Sequence, residues 1–296
     1  MRRKIGWAVV LLCVLAVAGY GVARWVVTRQ VAEQIRKNVA EMEAIEALDY
    51  GSLNVALIGQ HVSLQDVTVT LAAPRQRLHI ERVSVDGFRP GDAIPGRLHL
   101  LIEGLALSVD DPLMKPVRRT LTQLGYQRLK VLLECRYRFD ESAGRLDVEQ
   151  LRVDVGRMGT LNVTAELQNL DIGRLKQGLD NPLSMVVLLP SAAISGLRLD
   201  YRDASLVRRI LKEGARRAGV SEADYTRRLS QDVAASLSGR QDARLAEAAR
   251  AVARFLQKPG HISVRLSPAK PVPLLQLVFT RNPADLAALL GLEVHS

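Results

Sequence analysis

Arg128-Leu-Lys-Val-Leu-Leu-Glu-Cys-Arg-Tyr-Arg-Phe-Asp140 alternates with a period of two. Leu129, Val131, Leu133, Cys135, Tyr137 and Phe139 take every second position, with Lys130, Glu134, Arg136, Arg138 and Asp140 between them. Successive side chains of a strand point to opposite faces, so this spacing puts apolar groups on one face and charge on the other. One buried and one wet face is the pattern of antiparallel pairing; a parallel sheet covered on both sides reads as an unbroken apolar run. A turn through Glu141-Ser-Ala-Gly144 leads into Leu146, Val148, Leu151, Val153 and Val155, and another at Arg157-Met-Gly159 precedes Leu161, Val163, Ala165 and Leu167. Three strands with short connections predict a meander.

Working outward, Val62 and Leu64, then Val67, Val69 and Leu71, alternate with a one-residue slip at Gln65-Asp66 that predicts a bulge. Leu78 and Ile80, then Val83 and Val85, repeat the pattern. Toward the C-terminus, His261 to Leu266 and Leu274 to Phe279 read as returning strands. Asn282-Pro283 then opens a last helix carrying Leu286, Leu289 and Leu290, proline suiting the first helical position.

An internal duplication stands out. Ile102-Glu-Gly104-Leu-Ala-Leu107-Ser-Val109-Asp-Asp111 parallels Ile194-Ser-Gly196-Leu-Arg-Leu199-Asp-Tyr201-Arg-Asp203, and V-R-R-x-L follows each copy, at Val117 to Leu121 and Val207 to Leu211. Each following helix ends near glycine, Gly125 or Gly219. Asp111 and Asp203 suit helix N-caps, because a carboxylate accepts bonds from the free amides of a first turn. We read a strand-to-helix unit used twice. The plainer reading is that aliphatic strands and basic helices look alike in composition.

Charge is concentrated in one place. Residues 202–258 hold 13 Lys and Arg against 7 Asp and Glu, six of the ten excess positive charges, while the β-rich body is nearly neutral. Leu206, Ile210 and Leu211 line one face of a first helix there. Ser221 caps a second with Tyr225, Leu229, Val233 and Leu237, and a third carries Leu245, Ala249, Val252 and Leu256. Arg208, Arg209, Lys212, Arg216 and Arg217 are candidate contacts for an anionic surface, weighed against an ordinary solvated helix face. Nucleic acid is not expected, since single-strand binders supply stacking aromatics and this insert has only Tyr225 and Phe255.

The N-terminus reads as a membrane segment. Ile5 to Ala23 is a run of 19 residues without a charge, close to what a helix needs to cross the ~30 Å core of a bilayer. Trp7 and Trp25 flank it, Leu11 and Leu15 lie within it, and Arg2, Arg3 and Lys4 precede it. A retained anchor is favoured over a cleaved signal peptide, for which Ala16-Val-Ala18 offers a cleavage pattern. The basic flank places the N-terminus in the cytoplasm and the bulk of the chain outside it. Thr28 to Leu48, with Val31, Ile35, Val39, Met42 and Ile45, reads as a stalk helix. The organisation expected is an anchor (1–27), a stalk (28–50), a β-rich domain (51–201), a basic helical insert (202–258) and closing strands and helix (259–296). The class is α+β: an N-terminal transmembrane helix followed by a curved, mainly antiparallel sheet.

Motifs of chemistry are missing. There is no G-x-S-x-G, G-x-x-x-x-G-K-[ST], H-E-x-x-H or C-x-x-C. The five histidines, His61, His79, His99, His261 and His295, lack ligand spacing. Asp110-Asp111 and Asp140-Glu141 are explained by a cap and a turn. No catalytic residue, metal or cofactor is expected, and an enzyme acting through Asp111 or Asp203 is the minority reading.

The order anchor, Tyr50-Gly-Ser-Leu53, Val62-x-Leu64-x-Asp66-Val67 and Ile80-Glu-Arg-Val83-x-Val85 resembles the opening of bacterial AsmA-like and YdgA-like envelope proteins. Gly196-Leu-Arg-Leu-Asp-Tyr201-Arg-Asp203-x-Ser205-Leu206 resembles the C-terminal portion of the YdgA-like group. The resemblance implies a single-pass inner-membrane protein with a periplasmic β-rich body and no catalytic residues. Its larger members are linked to phospholipid transport through a long apolar groove. The expectation is therefore a non-enzymatic envelope protein that holds lipid, an acyl chain above all, on an apolar sheet face. The alternative is a scaffold recruiting an envelope protein partner through its basic helices.

Overall fold

A computed structural model describes residues 33, 44–56, 61–87, 95–171, 192–238, 243–280 and 282–296. Twelve strands form one antiparallel sheet: β1 (Ile45–Asp49), β2 (Ser52–Ala56), β3 (His61–Leu71), β4 (Gln76–Asp86), β5 (Arg97–Ser108), β6 (Arg128–Asp140), β7 (Arg145–Val155), β8 (Gly159–Gln168), β9 (Ala193–Asp203), β10 (His261–Leu266), β11 (Val272–Pro273) and β12 (Leu292–His295). The spatial order is β1-β3-β4-β5-β6-β7-β8-β9-β10-β12, with β2 also on β3 and β11 on β9. From β3 to β10 each strand pairs with the next in sequence, so the expected meander extends well beyond three strands.

Pairing carries the apolar face across the whole sheet, because directly opposed residues share a face. Cys135 pairs with Leu151, Leu151 with Val163, and Val163 with Leu199. The bulge read at Gln65-Asp66 is present: Asp66 has φ 52, and Leu64 and Val67 are both buried although three residues apart. β5 breaks its register between Ile102 and Leu105 in the same way, with Gly104 at φ 70. Both breaks let the apolar face continue past a bend. Leu64, Val67 and Ile80 make a small core there with Leu48, Leu53, Ile102 and Leu105.

Helices sit at one side. α1 (Arg118–Gln123) follows β5 through a 3₁₀ turn at Pro112–Met114; α2 (Leu206–Ala218), α3 (Glu222–Ser238) and α4 (Ala243–Gln257) follow β9; α5 (Leu274–Phe279) and α6 (Pro283–Leu290) lie near the end. α4 packs Ala248 and Ala251 onto Val294, with Ile262, Val264 and Leu292 beside them. Phe255 meets Tyr201 edge-on, ring centres 6.2 Å apart. The two glycine-ended helices hold as read, Gly125 at φ 77 and Gly219 at φ 64.

Those two helices measure the curvature. β5 and β9 are four strands apart, about 19 Å in a flat sheet at ~4.8 Å per strand. Yet α1 and α2 touch: Arg209 Nη1 donates to Leu124 O at 2.7 Å, and the Arg217 guanidinium donates to Gln123. The Tyr126 hydroxyl donates to Ser205 Oγ (2.8 Å), which donates to Arg157 O (2.7 Å). The sheet therefore curls toward its apolar face, but it stays open.

Five expectations are corrected. The class with an N-terminal transmembrane helix gives way, among the described residues, to a mostly antiparallel sheet. Among the described residues no helix is long and apolar enough to cross a membrane. That finding conflicts with the expected single-pass inner-membrane placement, whose motivating run 5–23, with Trp7, Leu11, Leu15 and Trp25, lies outside the described residues. Within the expected stalk, Ile45–Asp49 is β1: Leu48 lies opposite Val69 on the edge of β3, and tertiary pairing overrides a helix-compatible spacing. Leu274–Phe279 is a helix, the short apolar run Leu-Leu-Gln-Leu-Val-Phe carrying no period that separates strand from helix. Ile210, assigned to the apolar stripe of α2, is 48% exposed, and Ala215 is buried beside Leu211 instead.

Candidate functional site

The middle of the curved sheet presents a trough. Its central row is Cys135, Leu151, Val163 and Leu199. Leu133, Val153, Leu161 and Tyr201 lie on one side of it, and Tyr137, Val148, Ala165 and Leu197 on the other. All twelve are half-buried rather than buried. Among the described residues no helix lies across the middle of β6, β7 and β8; the helical layer packs on β9, β10 and β12. A row of large apolar side chains left half-open is unusual, because a monomer rarely keeps such a surface without a use for it.

One end of the trough is stoppered. Val109, Leu121, Leu124 and Tyr126 form a core with Met114, Leu129, Met158 and Leu206, which brings α1 and α2 over the ends of β5 to β9. At the far end Phe139, Ala193 and Ile194 are buried. Between Leu129 and Phe139 strand β6 runs ~34 Å, against roughly 15 Å for one leaflet of a bilayer core.

The lining contains no charged side chain. Burial pushes the Cys135 thiol up. Burial, then the nearby Cys135, raises the Tyr137 phenol. Tyr201 is raised by burial and by its bond to Asp203. Each group is thereby held neutral. A protonated thiol is a poor nucleophile.

Asp203, read as a helix N-cap, stands two residues before that position, which Ser205 holds, yet it supplies the capping bond: its Oδ1 accepts from Val207 N in the first turn (2.8 Å) and from the Tyr201 hydroxyl (3.0 Å), and its side chain is 0% exposed. Its Oδ2 is buried without a hydrogen bond, Arg208 Nε standing 3.7 Å away. Asp111 turns back instead, accepting from Ser108 N at 2.6 Å. Replacing Asp203 with alanine would strip two donors of their acceptor, one at a helix start. The expected loss is about 2 kcal/mol in urea unfolding, with Asn restoring most of it. An Ala variant as stable as wild type would refute the cap.

The basic residues of α2 are mostly engaged. Arg209 stacks over Tyr126, 4.5 Å from the ring centre. Arg216 and Arg217 donate to Glu213 at 2.7 and 2.9 Å, and these bonds, Arg216 first, hold the Glu213 carboxyl down at about 2. Arg208 donates to Ala204 O at 2.6 Å. Lys212 is exposed. Four of the five candidate contacts therefore serve the helix and its join to α1.

Asp140, assigned to a turn, accepts from Ser142 Oγ and Ala143 N, which lower its carboxyl. A cavity of about 580 Å³ opens on the other, charged face, lined by Arg145, Asp147, Glu166, Arg198 and Arg265 among others. Arg145 and Arg198 are already bonded to Asp147 and Asp200, at 2.8 and 2.7 Å, so it offers little unspent charge. Sequence reading identified the trough strands one by one. It missed the row His61, Asp86, His99 and Glu134, whose members come together only through strand register.

A protein-family model described as "Uncharacterized protein" matches residues 152–296, from the second half of β7 to the end. No curated protein matches the chain. The matched part contains half of the trough and all of the α2–α4 layer.

Proposed function

We propose that this chain is a non-enzymatic carrier module whose curved sheet shelters an acyl chain. The observation that carries the reading is the half-open, uncharged row Cys135-Leu151-Val163-Leu199, bounded by buried residues at both ends of its strands. Each methylene moved from water into such a trough contributes about 0.8 kcal/mol, so a chain of ordinary length could bind micromolar or tighter after paying for its lost freedom. The likeness to AsmA-like proteins points the same way and belongs to this proposal. Recruitment of a protein partner through α2 has less behind it, since Arg209, Arg216 and Arg217 are bound within the chain.

The test is a titration of the delipidated full chain with a fluorescent fatty acid. A saturable signal near one equivalent, displaced by an unlabelled fatty acid, supports the reading; a signal that never saturates or cannot be displaced refutes it.

A further inference from the structure

On the charged face of the sheet, side chains from four neighbouring strands stand in a line. His61 of β3 lies opposite Asp86 of β4, and Asp86 opposite His99 of β5. Glu134 of β6 is two residues from Arg136, the register partner of His99. His61 Nδ1 is 2.6 Å from Asp86 Oδ1. His99 Nδ1 is 3.1 Å from Asp86 Oδ2, and its Nε2 is 3.0 Å from Glu134 Oε1. Glu134 also accepts from Arg136 and, on β7, from Gln150, each at 3.1 Å. Side-chain bonds thus run unbroken across five strands.

His99 is the link that a proton can change. A neutral imidazole has one N–H and one lone pair. Here a carboxylate oxygen faces each ring nitrogen, so a neutral ring bonds to one and turns its lone pair on the other. Both contacts are hydrogen bonds only when both nitrogens carry hydrogen. The remaining charges nearby do not replace that link. On β5 the same face carries Arg97 and Glu103, and Glu103 is bonded to Arg82 of β4 at 3.2 Å. On β6, Arg138 is bonded to Glu149 of β7. The ring nitrogens address two separate carboxylates rather than one centre, and among the described residues no group of three or more His, Cys, Asp or Glu could hold a metal ion.

We propose that His99 is a proton-dependent clasp on the outer face of the sheet. With both hydrogens it ties β4 to β6 through β5; with one it releases either Asp86 or Glu134, and this part of the sheet opens more often. The sign follows from the bond count: a ring with two hydrogens bonds both carboxylates and a ring with one bonds only one of them, so this part of the sheet is tied less firmly as pH rises. The clasp does not depend on what the trough holds.

Amide hydrogen exchange of the full chain at pH 5.5 and pH 8.0, corrected for intrinsic rates, tests it. Peptides covering β4 to β6 are expected to lose protection about tenfold at the higher pH, the scale of one charge-assisted hydrogen bond, while α4 does not change. His99→Asn should remove the difference. Protection that is independent of pH, or a pH dependence that survives His99→Asn, overturns the clasp. Wild-type ring-nitrogen spectra keep the question decidable if the variant does not fold: the His99 ring must lose its second hydrogen over the same pH range in which β4 to β6 lose protection, and a mismatch overturns the proposal.

Discussion

Val163→Glu is expected to weaken acyl-chain binding by at least about 30-fold, while Thr164→Glu, one residue along the same strand, leaves it unchanged. Val163 stands in the central row between Leu151 and Leu199. A carboxylate there must lose water to an incoming methylene chain, and even partial desolvation of a charge costs about 2 kcal/mol or more, which is that ratio in affinity. Before binding, the half-open trough keeps the carboxylate wet, so the fold survives. Thr164 is exposed on the opposite face, across from Arg198, so a carboxylate there stays in solvent and away from the trough. Fluorescent fatty-acid titration of the two variants reads the difference. Equal affinities would mean that the chain does not bind in the trough.

The second large effect is on stability. Gly291→Ala is expected to cost about 3 kcal/mol or more in urea unfolding, whereas Gly219→Ala costs only about 1 kcal/mol. Both glycines end a helix in the left-handed region, φ 59 and φ 64, where an L side chain costs roughly 1–2 kcal/mol. They differ in surroundings. A Cβ on Gly219 meets nothing within 4 Å, but one on Gly291 would run into the backbone carbonyl of Ser267, which cannot rotate away. Gly291 also hands α6 to β12, whose Val294 seats α4 on the sheet, so a displaced backbone there loosens the helical layer. Equal costs at the two sites would show that the close approach is not present.

The sheet was legible because its strands alternate cleanly. In β7 and β8 each apolar residue follows a polar one, in β6 only Val131-Leu132-Leu133 breaks the alternation, and even the slip at Asp66 announced a bulge. Ile45 and the run Leu274 to Phe279 were not legible. Ile45 fits a helical spacing, and only the free edge of β3 makes it a strand; the short apolar run has no period that distinguishes strand from helix. The trough was half legible. Its faces follow from alternation, but the curl that turns a face into a trough depends on α1 and α2 meeting across four strands, and no local pattern encodes that contact. The duplicated strand-helix units, Ile102 to Leu121 and Ile194 to Leu211, did carry the hint, since they supply the two helices that meet. His99 stayed hidden for a related reason: its carboxylate partners are 13 and 35 residues away and reach it through register alone.

The most direct measurement of the central claim is the alkylation rate of Cys135, followed by mass spectrometry of its peptide, with and without a saturating fatty acid. The thiol sits in the middle row of the trough and its only modifier is burial. A bound acyl chain is expected to slow alkylation at least about tenfold, because the ligand occupies the site for most of the time. A rate unchanged by a fatty acid that demonstrably binds would place the ligand elsewhere and contradict the account.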